Sequence, residues 1–382
     1  MTGSLQASHG KFYAVLNIRD KDGKPRQKWV NTDIPAIKGN KTEAMRRLHE
    51  ILVEYGKANI IYSPEIGFAD YLERWLEEIK PNIQLSTWET YEVELRRHIV
   101  PYFREHPCKL SKLAKPALQK YCNEKSESGN LRGKGGLAPK TIKNHHGIIS
   151  KALQDAVNEG VIARNPAIAV KLPKIPQRIL ATYSEDEANA LTAAAKGSDL
   201  YVPILLALRC GLRRGEILGL QWKSVDLKNG TIVIQDTMTK TQTVIVREGT
   251  KTESSYRKLL MPDVVTEALR AHKAEQEEHK AFLGTGYEDN GLVCAQANGN
   301  PVSFGFTKRV ERLIVRTGLR VITFHDLRHT NATLLQDWGA DIADISKWLG
   351  HSEISTTANI YLHLDYRSTE KLAALSNERL QT

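Results

Sequence analysis

Polar residues that could take part in chemistry occur in four short stretches of the second half of the chain. In the first, at 211–216, Arg213 and Glu216 lie between apolar runs, so a guanidinium would be partly desolvated there and the carboxylate would pair with it on one helical face. In the second, at 323–329, His325 and Arg328 are three residues apart, which places both on one side of a helix near its start, where the helix dipole favours anions. The first pair also has a purely structural interpretation, as an ion pair that only stabilises the fold.

A metal site is an alternative interpretation of the second stretch. His325 and His329 are four residues apart, and Asp326 occupies the position of the glutamate in the H-E-x-x-H motif of zinc enzymes. Three features oppose a metal: Arg328 would bring a fixed cation beside it, aspartate is one methylene shorter than glutamate, and no third ligand follows at a usual offset. The nucleotide-binding motifs G-x-G-x-x-G and G-x-x-x-x-G-K-[ST] are also missing from the sequence, so we expect neither a metal nor a cofactor.

The third and fourth stretches add a histidine and a tyrosine. His351 follows a glycine at the end of an apolar helix, where a histidine is more often a surface or cap residue. Tyr361 falls one to two turns into a short helix that Thr356 and Thr357 are expected to begin, where a tyrosine more often contributes to packing. Considered separately, neither residue indicates a function.

Considered together, the four stretches indicate one reaction, the exchange of a phosphodiester bond through a covalent intermediate. A tyrosine oxygen can attack phosphorus and leave a phosphotyrosine that preserves the bond energy, so neither ATP nor a metal is required. Two planar arginine forks suit the additional negative charge on the non-bridging oxygens in the transition state. The leaving 5′-oxygen must be protonated, and a lysine or histidine of lowered pKa suits that step.

The same residues resemble, in type and in order, those of the tyrosine recombinases, the integrase family of phages and integrative conjugative elements. The matching motifs are Gly-Leu-Arg-x-x-Glu, His-x-x-Arg, Leu-Gly-His and a tyrosine ten residues after that histidine. The spacing to Glu216 selects Arg213 rather than the adjacent Arg214. By this resemblance the catalytic residues are Arg213, His325, Arg328, His351 and the nucleophile Tyr361, with Glu216 orienting the first arginine and Lys251 as the hairpin lysine. Lys240 and Lys258 are alternatives to Lys251, because they are expected on the same system of strands.

The elements that must position these residues are mainly helices. A helix should begin after Ser184, with acidic residues in its first turn, and an apolar helix over 201–209 should end at Gly211. Three strand-like runs follow at 231–235, 243–246 and 258–261. Further helices are predicted near 263–282, 303–317, 326–338, 341–349 and 355–364.

Length and charge describe the rest of the chain. A length of 382 residues predicts two to three domains, and a net charge of +10 makes a polyanionic partner plausible. The positive charge is concentrated at 1–57 (11 Lys/Arg against 6 Asp/Glu) and 108–178 (14 against 4). Strand-rich sequence at 11–19 and 28–32, with a turn at 22–23 and a helix from Thr42, predicts a small three-stranded sheet with a helix behind it.

The expected architecture is therefore multidomain, mainly α with small β-sheets. By the resemblance, residues 1–57 form an arm-type DNA-binding domain of three strands and a helix, 64–172 a helical core-binding domain, and 179–382 a mixed α/β catalytic domain. The basic residues of the sheet and of a Gly-rich loop are candidate DNA contacts, with a solvated basic surface as the alternative. They are Arg19, Lys21, Lys24, Arg26, Lys28, Arg132, Lys134, Lys140 and Lys143.

The resemblance predicts a recombinase that integrates and excises a mobile element. It implies double-stranded DNA with core and arm sites as substrate, a homotetramer on DNA, and an excisionase and a host DNA-bending protein as partners. Four dispersed cysteines, no secretory leader and no membrane segment predict a cytoplasmic protein, and the resemblance implies a bacterial one associated with the nucleoid. Two alternatives are a DNA-binding regulator that keeps the fold without cleaving, and a type IB topoisomerase. The tail at 368–382 is expected to pack on its own domain or on a neighbouring protomer.

Overall fold

The computed structural model describes residues 2–19, 25–37, 39–56, 65–131, 133–176, 181–240, 244–248, 256–303 and 305–350. The contacts within the chain divide it into two units, residues 1–176 and 177–382. Both units are mainly helical, and the described sheets are small and antiparallel, which confirms the predicted fold class.

The first unit begins with a three-stranded antiparallel sheet and one helix. Its elements are β1 (Thr2–Ser8), β2 (Lys11–Arg19), β3 (Pro25–Pro35) and α1 (Lys41–Gly56), with the strands in the order β1-β2-β3. Ala14 and Leu16 of β2 form a small apolar core with Leu48 and Ile51 of α1. The predicted sheet with a helix behind it is confirmed, although β1 consists largely of small polar residues and carries no strand signal of its own.

The register of this sheet determines which face its basic residues occupy. Lys28 pairs directly with Leu16 across the β2–β3 ladder, and residues paired in this way point to the same face. Arg26, two residues earlier, shares that face. Both are exposed, but they lie on the side that α1 covers, whereas Tyr13 and Trp29 lie on the open side. Arg26 and Lys28 therefore share the sheet face that packs on α1.

The rest of the first unit is a helical bundle. Its helices are α2 (Phe68–Ile79), α3 (Leu85–Glu94), a π-helical turn (Leu95–Ile99), α4 (Val100–Glu105), α5 (Lys115–Ser128) and α6 (Pro139–Asn158). Two large side chains of α2 hold it against α6. The Tyr71 hydroxyl donates to the Ala152 carbonyl at 2.6 Å, and the Trp75 indole donates to the Asp155 carboxylate at 2.9 Å. Buried aromatic groups therefore find partners for their polar ends, as such groups usually do.

The second unit contains the four predicted stretches. Among its described residues the helices are α7 (Glu185–Ala195), α8 (Tyr201–Cys210), α9 (Arg214–Gly219), α10 (Asp263–Leu283), α11 (Phe306–Arg316), α12 (Phe324–Asp337) and α13 (Ile342–Leu349). The strands described there are β4 (Val225–Asp226), β5 (Thr231–Ile234), β6 (Asp236–Lys240), β7 (Val244–Glu248) and β8 (Arg257–Leu260). The largest apolar core of the described chain includes most of α8 and residues of α12, so α8 lies at the centre of the unit.

Glycine ends α8 for two separate reasons. Gly211 has a φ of 64°, in the left-handed region where a side chain is strained. A Cβ atom at this position would also lie 2.6 Å from both the Asn331 side-chain oxygen and a methyl group of Leu349. The chain can therefore turn sharply from α8 into the 211–216 stretch only because position 211 has no side chain.

The strands form two separate sheets. One has the order β4-β5-β8, and the other is the β6–β7 hairpin. Lys240 ends β6 and Lys258 lies in β8, so these two alternatives to Lys251 are on different sheets, which corrects the expectation of a single strand system. In the part of the chain that the structure describes, no helix is both long and apolar enough to cross a membrane.

Candidate active site

Arg213 and Glu216 are in contact, but not on a helical face. Arg213 has an extended backbone and precedes the first residue of α9, while Glu216 is in the first turn. The Arg213 backbone N–H donates to Glu216 Oε2 at 2.9 Å, and its Nη1 donates to Oε1 at 2.7 Å. The predicted pair is therefore formed by an N-terminal cap geometry, which corrects the expectation that the two side chains share one helical face.

Arg328 is the most deeply buried of the predicted arginines. Its side chain is 2% exposed, and its first contacts are backbone carbonyls rather than acids. Nη1 donates to the Gly211 carbonyl at 2.6 Å and Nη2 donates to the Leu349 carbonyl at 2.7 Å. Arg328 therefore joins the turn after α8 to the end of α13.

A third arginine, which the sequence motifs do not indicate, completes the arrangement. Arg257, the first residue of β8, is 8% exposed. Its Nη1 and Nη2 donate to the two oxygens of Glu216 at 3.1 and 2.9 Å, and its Nε donates to the Trp348 carbonyl at 2.8 Å. We call Arg213, Arg257 and Arg328 the arginine cluster.

The arginine cluster binds three successive carbonyls at the end of α13. Arg257 binds that of Trp348, Arg328 that of Leu349, and Arg213 that of Gly350 through Nη2 at 2.8 Å. A helix C-terminus has unpaired carbonyls and partial negative charge, so cations are favourable there. His351 is the next residue in the sequence. The arginines therefore hold the point from which the chain continues toward His351.

His325 opens onto a pocket of about 420 Å³ beside Arg213. Gly215 of α9 and Thr307 of α11 also contribute to the pocket wall, and Arg214 adjoins them. Arg328 and Glu216 are buried beneath this surface. The pocket therefore places an imidazole and a guanidinium next to one open space, which suits a phosphate group.

The surroundings of His325 favour its neutral form. Part of the ring is open to the pocket, but desolvation of the rest, together with the charges of His329 and Arg328, lowers the pKa of His325 to about 4. Asp326 opposes this shift weakly. The imidazole is therefore neutral at pH 7 and can accept a proton or a hydrogen bond.

This shift predicts the acid dependence of the free protein. An ordinary histidine titrates near 6.5, so the unfolded chain takes up a proton at His325 as the pH falls through 6.5, whereas the folded chain does so only near 4. The contribution of His325 to stability should therefore fall between about pH 6.5 and 4. Histidine-specific NMR should show His325 neutral at pH 6, while a His325→Gln variant should lose this part of the pH dependence. A charged His325 at pH 6 would contradict the prediction.

The two histidines of α12 pack against each other. The rings of His325 and His329 meet edge to face, with centroids 4.9 Å apart. Among the residues that the structure describes, no group of three or more His, Cys, Asp or Glu could hold a metal ion. Of these two histidines, His325 lines the pocket and His329 does not.

Close packing of α9 positions the β6–β7 hairpin. A Cβ at Gly215 would lie 2.7 Å from the Thr237 hydroxyl, and one at Gly219 would lie 2.6 Å from the Met238 backbone nitrogen. These two glycines, one turn apart, let β6 approach the helix that follows Arg213. Lys251, which follows β7 in the sequence, lies outside the described residues.

The remaining predicted residues are only partly described. The structure does not describe His351, Tyr361, the 368–382 tail, Lys21, Lys24 or Arg132. For Arg19 it describes only the backbone, at the end of β2. Lys134 is exposed in the loop between α5 and α6, and Lys140 and Lys143 are exposed in the first turns of α6. None of these lysines belongs to the unit that contains the pocket.

A larger cavity, of about 910 Å³, lies elsewhere in the second unit. It is formed by the end of α7 and by α11, and an ion pair between Arg309 and Asp199 lies at its wall. None of the predicted catalytic residues lines it. Size alone therefore does not identify the site, since the smaller pocket is the one lined by Arg213 and His325.

Known proteins match both units. The model of the phage integrase family matches residues 181–368, and that of the phage integrase N-terminal SAM-like domain matches residues 67–126. A tyrosine recombinase XerC-like protein of Caldanaerobacter subterraneus is 29% identical over 93% of this chain and 93% of its own length. The ICEBs1 integrase of Bacillus subtilis is 22% identical over 88% of this chain and 90% of its own length.

Solved structures match in fold. The Tn1549 transposon integrase, in complex with transposon right end DNA, has a TM-score of 0.65 at 21% identity and covers 81% of this chain and 99% of its own. A lambda integrase dimer bound to a COC′ core site has a TM-score of 0.54 at 18% identity and covers 95% of both chains. The chain belongs to the phage integrase family of tyrosine recombinases and is a site-specific DNA recombinase. Relatives named as recombinases and integrases do not favour the silent regulator or the topoisomerase.

Proposed function

We propose that this chain integrates and excises a mobile genetic element by cutting and rejoining double-stranded DNA, with the pocket beside Arg213 and His325 as the binding site of the scissile phosphate. The observation that carries this proposal is the convergence of Arg213, His325 and Arg328. Segments more than 100 residues apart in sequence bring Arg213 and Arg328 to the end of α13, directly before the 351–361 segment, and bring His325 to the same pocket as Arg213. DNA-bound relatives such as the Tn1549 integrase support DNA as the partner.

In the proposed reaction the Tyr361 oxygen attacks the scissile phosphorus. A bond from this oxygen to phosphorus forms, the bond from phosphorus to the 5′-oxygen breaks, and a 3′-phosphotyrosine remains. Lys251 or a histidine supplies the proton that the 5′-oxygen takes up, and the tyrosine proton passes to a base. In the second step a 5′-hydroxyl of the partner strand attacks the phosphotyrosine, and the tyrosine leaves with a proton.

Each described residue has a role in this scheme that its contacts allow. Arg213 faces the pocket and would bind a non-bridging oxygen, while Glu216 orients it. Arg328 has five N–H donors, of which the two carbonyl contacts occupy two, so it would supply positive charge and further donors from beneath. Neutral His325 would bind the phosphate or take part in proton transfer. His351 lies outside the described residues, and by the resemblance it would donate a hydrogen bond near the phosphate.

A nicked suicide substrate made from the element's own end tests the proposal. The nick lets the short product strand diffuse away after cleavage, so the covalent complex accumulates. We expect a DNA–protein adduct in denaturing gels, with the DNA 3′-phosphate attached to Tyr361 on peptide mapping. Absence of an adduct with DNA that the protein binds specifically would refute the proposal.

The division of labour along the chain is also a proposal. Residues 1–57 would bind arm sites, 64–172 the core site, and 179–382 would carry the chemistry, within a homotetramer assisted by an excisionase and a host DNA-bending protein in the bacterial cytoplasm. The exposed Lys134, Lys140 and Lys143 support a basic surface on the core-binding part. Phosphate contacts from such residues make binding dependent on salt.

Deleting residues 1–57 tests the arm role. We expect the shortened chain to lose most of its affinity for distal arm sites and to retain cleavage of a nicked core substrate, because the catalytic residues all lie after 205. Band-shift titrations with separate arm and core duplexes measure the first effect, and adduct formation measures the second. Unchanged arm binding would assign these sites to another part of the chain.

A further inference from the structure

Arg257 connects two parts of the candidate active site that no motif joins. It begins β8, and its side chain is 7% exposed. Two of its nitrogens donate to Glu216, 41 residues away in sequence, and the third donates to the carbonyl of Trp348, 91 residues away. A planar guanidinium can bind both oxygens of a carboxylate at once, whereas a lysine ammonium acts as a point charge.

Glu216 is shared between Arg257 and Arg213. Both of its oxygens accept a hydrogen bond from each arginine, so four donors hold one carboxylate that is 4% exposed. Burial raises the pKa of Glu216, but the hydrogen bonds and charge of Arg257, with the charges of Arg213 and Arg328, outweigh burial and lower the pKa to about 2. Glu216 is therefore ionised, and its position depends on both arginines.

Removing Arg257 would free one side of this carboxylate and the carbonyl of Trp348. Glu216 could then rotate toward Arg213, and the end of α13 would lose one of its three arginine contacts. The first change affects Arg213, which lines the pocket, and the second affects the end of α13, which precedes His351 in the sequence. Arg257 itself is not among the residues that line the pocket. A buried charge whose partner is removed is also unstable, which favours such movement.

We infer that Arg257 is a positioning residue for strand cleavage, which fixes Arg213 through Glu216 and fixes the end of α13 through the Trp348 carbonyl. The inference rests on the proposed function. It concerns the geometry of the site and not contact with DNA. Since a displacement of about 1 Å can lower a rate by about a hundredfold, the effect should appear in the rate of cleavage rather than in DNA affinity.

The test compares Arg257→Met and Arg257→Lys with the wild-type chain on the nicked suicide substrate. With DNA saturating, we expect the single-turnover rate of adduct formation to fall about 10- to 100-fold in Arg257→Met. The dissociation constant for the same DNA should change by less than about threefold, because the substitution removes no contact with the DNA in the ground state. Arg257→Lys retains the positive charge and replaces the methionine variant in the comparison if that variant fails to fold. Its rate of adduct formation should also fall, because a lysine cannot bind both oxygens of Glu216.

Gln276→Met is the matched control for a purely structural role. Gln276 of α10 is buried to a similar extent, at 9% exposure, accepts from the Trp222 indole at 2.7 Å and donates to the Val293 carbonyl at 3.0 Å, away from the pocket. Its loss should lower the melting temperature and leave the cleavage rate of the folded protein unchanged. Cleavage by Arg257→Lys at the wild-type rate would overturn the inference.

A double-mutant cycle with Glu216→Gln tests whether Arg257 acts through Glu216. We expect the effects of the two substitutions on the cleavage rate to be strongly non-additive, because each removes the same coupling. Additive effects would overturn the inference. If the wild-type chain itself forms no adduct, the proposed function fails, and this result is distinct from a slow variant beside an active wild type.

Discussion

Replacing Tyr361 with phenylalanine is expected to abolish the covalent DNA–protein adduct completely. The substitution removes a single oxygen, the atom proposed to attack phosphorus, and leaves the aromatic ring in place. DNA affinity should therefore stay within about twofold of the wild-type value, because binding of the DNA before cleavage does not depend on that oxygen. Denaturing gels of the suicide-substrate reaction measure the adduct, and band shifts measure the affinity.

A second tyrosine provides the control for this substitution. Tyr287 is half-buried after α10, in the same unit of the chain but outside the pocket. Tyr287→Phe should form the adduct at the wild-type rate. An adduct that persists in Tyr361→Phe would move the nucleophile to another residue.

Replacing Arg328 with alanine should have the largest effect on stability. It would leave the Gly211 and Leu349 carbonyls without their donor, at about 1–3 kcal/mol each, and remove a cation from beside buried Glu216. We expect a loss of about 3–5 kcal/mol in the free energy of unfolding, together with loss of cleavage. Arg328→Lys should be intermediate, because one ammonium cannot reproduce the two-pronged contact. Urea titration of the full chain measures the change.

An exposed arginine of the same unit is the control for Arg328. Arg309 of α11 forms an ion pair with Asp199, and both side chains are about half exposed. Exposed pairs of this kind contribute less than about 1 kcal/mol, so Arg309→Ala should change the free energy of unfolding only slightly. A loss below about 1 kcal/mol in Arg328→Ala as well would show that the two carbonyl contacts do not stabilise the end of α13.

Local signals in the sequence predicted much of the fold. The Ser184 side chain accepts a hydrogen bond from the Glu187 backbone N–H at the start of α7, and α8 ends at Gly211, as the cap and glycine patterns indicate. Two strands lacked such signals. β1 is rich in small polar residues, and Met238 is the single apolar residue of β6, so neither sequence shows the alternation of apolar and polar residues that marks a strand.

The site was predictable where the chemistry is local in sequence and not where it is distant. Arg213 and Glu216 are three residues apart, so their contact was predictable from the motif, although the cap geometry was not. The role of Arg257 depends on partners 41 and 91 residues away, which no spacing rule reaches. The face that Arg26 occupies depends likewise on a strand register that composition does not determine.

The anchored end of α13 sets a geometric limit on the nucleophile. Tyr361 lies eleven positions after Gly350, whose carbonyl is bound to Arg213. A fully extended chain of that length spans at most about 40 Å, and a fully helical one spans about 17 Å. If these eleven residues were compact, the phenol would be confined to phosphates near its own Arg213, whereas an extended conformation would let it reach the site of a neighbouring subunit. The distance that these residues span would therefore decide between cis and trans cleavage.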